Sequence, residues 1–255
     1  MAAAPVPPAP LSPVPDAAPL SEGERILDTF IAPSKTFTDL RHNAAWWAPF
    51  VLLAIISTIF VYTVSQKVGF RKVMENQIAA SPKATERMDR MPADEREKAL
   101  NQQASFYPAF AYGFPIIQLI ILVIIAAVLF ATFKFAAGAD VSFKIALAIV
   151  MYASLPGLLK ILLAIISLLA GVSPDGFTFQ NPVATNPGYF LHQADSPFLY
   201  SLLSGFDVFL IWTLALTAIG FTCVSKIKTG TAFAVVFGWW LLFTVIGAGM
   251  GAAFS

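Results

Sequence analysis

Cysteine, histidine and charge are all scarce in this chain. Cys223 is the only cysteine among 255 residues, so no internal disulfide can form. The two histidines, His42 and His192, stand far apart, and the sequence has no HExxH, no Cys-rich spacing and no recognisable nucleophile–base pattern. Neither catalysis nor a metal or cofactor is expected. Charged residues are 12% of the chain and sum to +1, which leaves no basic excess for nucleic acid. One shortage is local: residues 171–197 contain no Lys or Arg at all.

What is present is apolar. Hydrophobic residues make up 57% of the chain, Phe alone numbers 23, and the mean hydropathy is +0.72. These values belong to an all-α polytopic membrane protein. Five apolar segments, at 46–64, 115–133, 145–170, 199–224 and 231–253, each reach the twenty or so helical residues that cross a hydrocarbon core of about 30 Å. Lipid leaves the backbone no partner but itself, and the segments lack the alternation of a transmembrane barrel, so helices are predicted. Trp46, Trp47 and Tyr62 mark the two interfaces of the first span.

The first twenty residues, rich in Ala and Pro, lack the basic start and unbroken apolar run of a secretory signal and read as a disordered, extended tail. Residues 21–45 follow as short amphipathic helices at the cytoplasmic interface. Ser21 and Glu24 have capping-box spacing, and Ile26, Leu27, Phe30 and Ile31 share a face. Pro33 should end that helix, with Ser34 capping a second turn that carries Phe37 and Leu40. Residues 65–114 form an extramembrane insertion in which eight basic residues interleave with acids. Two or three short helices are expected there, beginning near Ser81-Pro82 and Met91-Pro92, with Val68, Phe70, Val73, Met74 and Ile78 covering the bundle.

Lysine and arginine orient the spans. Arg25, Lys35 and Arg41 precede the first, Lys134 and Lys144 flank the second connection, and Lys226 and Lys228 occupy the fourth. These place the amino terminus in the cytoplasm, with the third connection and the carboxyl terminus outside.

The third apolar segment contains YASLPGLLK, where Tyr152, Pro156 and Lys160 are spaced by four and share a stripe. Pro156 and Gly157 should bend the helix, because proline removes a backbone bond and clashes with the carbonyl of Tyr152. Lys160 falls about 15 Å from the outer end, near mid-membrane. Asp207, the only acid in any span, lies about 12 Å from that end of the fourth, which makes it the natural partner. Side chains lean towards their own helix amino termini, so the two charges would lean apart unless the Pro156 bend compensates. The pair fixes helix packing on one reading and serves a small transporter or channel on the other. Gly247, Gly249 and Gly251 permit close helix contact and self-association. The Asn-Pro steps at Asn181 and Asn186 read as turns.

The segments ERILDTFIAPSKTFTDLRHNAAWW, YASLPGLLK, FDVFLIWTLAL and KIKTGTAFAVVFGWW resemble bacterial members of the YIP1 family over roughly residues 24–253. The resemblance implies five membrane helices and a cytoplasmic amino terminus. Similar eukaryotic proteins act in Golgi and endoplasmic reticulum traffic through Rab-type GTPases and other partners, and influence membrane shape. Their Asp-Leu-Tyr-Gly-Pro motif is absent here, and Trp46-Trp47-Ala48-Pro49 occupies the approach to the first span, so Rab binding does not carry over. The implied protein is a non-enzymatic scaffold of a bacterial inner membrane. Its partners are the lipid bilayer and other proteins, or its own copies through the membrane helices.

Overall fold

The structure is a computed structural model that describes residues 19–254; most of the Pro-rich tail expected at 1–20 lies outside the described residues. Every regular element among the described residues is helical. Four helical segments are long and apolar enough to cross a membrane, and a bent pair, counted as one span, makes a fifth.

Two short helices, α1 (Glu22–Ile31) and α2 (Pro33–Asp39), precede the first span. The capping box of α1 is formed: the Glu24 amide donates to the Ser21 hydroxyl at 3.3 Å, and the Ser21 amide donates to the Glu24 carboxylate at 2.8 Å. Those bonds from Ser21 hold the Glu24 carboxyl below its ordinary value. Pro33 does not merely end α1. It opens α2 at a position that needs no N–H, and Ser34 makes no cap. The face of α1 also departs from expectation. Its buried residues are Arg25, Asp28 and Thr29, whereas Leu27 and Ile31 are 65% and 80% exposed, and Ile26 and Phe30 lie only partly buried along the core. The bundle supplies polar partners for the inner face, so the apolar edge turns outward.

The first span is α3 (Trp47–Lys67). The insertion then forms α4 (Phe70–Ala79), α5 (Pro82–Asp89) and α6 (Ala93–Tyr112). Ser81 caps α5 as its sequence promised, and Val73 and Met74 are buried. The third helix is not short: α6 runs 20 residues, carries Pro108 within it and turns at Gly113 directly into the second span, α7 (Phe114–Ala131). A single π-helical stretch, Thr132–Ala136, ends that span, and the Trp239 indole donates to the Thr132 hydroxyl at 3.0 Å.

The third span divides at Ser154 into α8 (Phe143–Ala153) and α9 (Leu155–Leu169). Pro156 sits in the first turn of α9, so the break relieves the clash that a continuous helix would suffer. Together the two halves still qualify as one span of 27 residues, about 40 Å. Every residue from Ala146 to Ala153 is buried, which makes α8 the axis of the bundle. The fourth span is not continuous either. Helix α10 (Pro197–Ser204) meets α11 (Val208–Val224) at 49°. The fifth, α12 (Thr229–Phe254), packs on both. Phe133 and Phe221 stack at 4.0 Å in the core. At Gly220 of α11, a Cβ would lie 2.5 Å from the Ile149 methyl and 3.1 Å from the Phe37 ring. Only glycine lets α2, α8 and α11 approach this closely.

Contacts sort the connections into two ends. Arg41 donates to the carbonyl of Cys223, which joins the amino-terminal helices to the end of α11. At the opposite end Lys72 pairs with Asp175 at 2.8 Å, and the Asn76 amide donates to the carbonyls of Pro174 and Phe177 at 2.8 and 3.0 Å. The hydrogen bond and charge of Lys72 hold the Asp175 carboxyl below its ordinary value, and Lys72 is raised in return. Lys83 of α5 donates to the carbonyl of Ala253 at 2.6 Å. The insertion, the third connection and the end of α12 therefore share one side.

Candidate functional site

Asp207 is the residue around which the third and fourth spans and the connection between them are tied. The chain is extended there (φ −81°, ψ 134°), and the residue is the N-cap of α11. A helix start leaves amide donors without partners, so an acid is favoured where a helix interior would reject it. Oδ1 accepts from the amides of Phe209 and Leu210 at 3.0 and 3.2 Å. Oδ2 accepts from Lys160 at 2.8 Å, from the Thr185 hydroxyl, and from the Asn186 amide at 3.5 Å. The residue is 4% exposed. The opposed lean of two helical side chains does not arise, because the break between α10 and α11 takes Asp207 out of the helix.

Thr185 and Asn186 come from the third connection, where only turns were expected. Asn186 and Asn181 are buried and exchange side-chain hydrogen bonds at 2.8 and 3.4 Å. Asn186 also caps the short turn Pro187–Phe190 by accepting from the Tyr189 amide at 3.0 Å. A polar stretch of loop thus dips between the spans and completes the shell of Asp207. A Thr and an Asn beside prolines, in a segment without Lys or Arg, gave no sign of this role.

Of the remaining candidates in this segment, Pro156 is buried at the start of α9 and Gly157 faces a cavity shared with Lys160. Tyr152 does not join them. Its hydroxyl donates to Glu22, within a second polar cluster that the sequence did not disclose. There Arg25, fully buried, reaches Asp39 at 2.6 Å through both Nε and Nη2, and Glu22 at 3.1 Å. Burial alone would lower the Arg25 pKa. Hydrogen bonding to Asp39 and Tyr152, and the charges of Asp39 and Glu22, overcome it and leave the value raised. The hydroxyls of Thr29 and Thr36 both donate to the Arg25 carbonyl, at 2.7 and 3.0 Å. The i,i+3 spacing of Glu22 and Arg25 was visible, but an amphipathic reading assigns charges to water.

The chemistry of both clusters is that of charge fixed in ion pairs. Among the described residues, no three His, Cys, Asp or Glu side chains gather as a metal site. No curated protein and no solved structure matches the chain. A family model described as the Yip1 domain matches residues 27–250, which takes in the insertion between the first two spans, Lys160 and Asp207 with its shell, and all but the last few residues of the crossing segments, while Glu22 and Arg25 of the second cluster lie just before it. The chain belongs to the Yip1 domain family.

Proposed function

We propose that the chain is a non-enzymatic scaffold of a bacterial inner membrane, which organises the bilayer or partner proteins through contacts of its spans. Residues 21–45 form its cytoplasmic cuff, residues 46–253 the membrane domain, and 65–114 an insertion on the outer side, where the chain also ends. The distribution of Lys and Arg supports this orientation. The observation that carries the scaffold reading is the closed shell of Asp207. Two amides, an ammonium, a hydroxyl and a side-chain amide converge on one buried carboxylate. Such a group holds helices in register and has little freedom to exchange a proton or an ion, so the same shell weakens a transport reading of Lys160 and Asp207. Crosslinking in native membranes, followed by identification of captured proteins, tests the proposal. A scaffold returns the same set of partners in independent preparations; a capture set that changes at random would sink it.

A further inference from the structure

A cavity of about 560 Å³ lies between α3, α9, the α6–α7 elbow and the third connection. That is the size of pockets that take compact organic ligands, roughly 300–1,000 Å³. Most of its wall is hydrophobic, with Phe60, Phe114, Leu158 and Phe179 prominent. Polar side chains also line it, Gln77, Tyr107, Ser154 and Gln180 among them, and three others are graded in depth. Gln118 stands about 6 Å inside the start of α7. Ser57 lies about 15 Å inside the end of α3, and Lys160 about 14 Å inside the end of α9. Those two helices pack against each other, so Ser57 and Lys160 meet the cavity at one level near mid-membrane.

Ser57 is 2% exposed, and its hydroxyl has no hydrogen-bond partner among the described residues. Thr58 and Thr63 on the same helix return their hydroxyls to the carbonyls of Ala54 and Ile59, at 2.8 and 2.9 Å. An unmatched buried hydroxyl is costly, and Ser57 borders a cavity large enough to hold its partner. Charge then selects the ligand. The ammonium of Lys160 is already neutralised by Asp207, so an anionic head would bring an uncompensated charge into the bundle. An uncharged acceptor needs only the donors of Ser57, Gln118 and Lys160.

We propose that this cavity binds an uncharged single-chain lipid with a carbonyl head, its oxygen at Ser57 and Lys160 and its alkyl chain along the aromatic wall. Phe110 and Phe114, exposed at the rim, open that wall towards the bilayer.

The test uses the full chain in nanodiscs and a monoacylglycerol carrying a diazirine on its alkyl chain, with labelled peptides identified by mass spectrometry. Labelling is expected on α3 and α9, displaced by monoolein, at least tenfold less well by oleate, and not at all by the water-soluble monoacetin. Ser57→Ala should weaken labelling about threefold to tenfold. Gly157→Leu should abolish it, because Gly157 lines the cavity, a Cβ there meets nothing within 4 Å, and the larger side chain projects into the space the ligand would take. Labelling indifferent to both substitutions would overturn the proposal. Oleate competing as well as monoolein would overturn the uncharged head, and displacement by monoacetin would overturn the lipid in favour of a soluble solute.

Discussion

Asp207 and Lys160 are unequal partners. Without Lys160 the carboxylate keeps two backbone amides, Thr185 and Asn186; among the described residues no comparable shell waits for the lysine. Lys160→Met should therefore cost about 1–3 kcal/mol, the loss of one charged hydrogen bond from a shell otherwise intact. Asp207→Asn leaves an ammonium unpaired near mid-membrane and should cost about 3–5 kcal/mol. Combining the two removes that stranded charge, so the double variant should be more stable than Asp207→Asn alone. Unfolding of the purified variants in one detergent measures the cycle. Strictly additive losses would show that the two charges do not stabilise each other. Asn is preferred to Leu at this position because it can still cap α11.

Among the elements, the helix starts were the most legible in sequence. Ser21-x-x-Glu24 and Ser81-Pro82 act as local chemistry dictates, because a cap depends only on neighbours a few residues away. The break before α11 carried the same kind of signal, an Asp followed by an apolar run, but the unbroken hydrophobicity of the segment concealed it. The face of α1 was not legible, because a hydrophobic stripe marks the inward side only when the outside is water. The partners of Arg25 lie on three elements, and the one local pattern among them, Glu22 at i,i+3, gives no hint of Asp39 or Tyr152. Two glycines separate helix propensity from packing. Gly157→Ala should stabilise α9 by about 0.5–1 kcal/mol, since open space surrounds the new methyl. Gly220→Ala drives a Cβ to 2.5 Å from Ile149 and should cost about 1–3 kcal/mol. Thermal unfolding of the two variants should move in opposite directions; equal shifts would deny the tight meeting of α2, α8 and α11.

At the scale of the molecule, the two broken spans decide the topology. If α8 with α9 and α10 with α11 each cross once, the chain crosses five times, and the contacts at each end agree. Arg41 then reaches Cys223 at the end with α1 and α2, and Lys72 reaches Asp175 at the other. That arrangement also explains how Lys160 and Asp207, on successive spans, meet at similar depth. The measurement that tests it most directly is thiol accessibility in intact cells, with Cys223→Ser as background and Ala194→Cys or Thr229→Cys as single reporters. Both positions are exposed, one in the third connection and one at the start of α12. An impermeant reagent should label Ala194→Cys and spare Thr229→Cys until the membrane is opened. The reverse pattern would contradict the orientation, and labelling of both in intact cells would contradict the crossing of the bent pair on which the site depends.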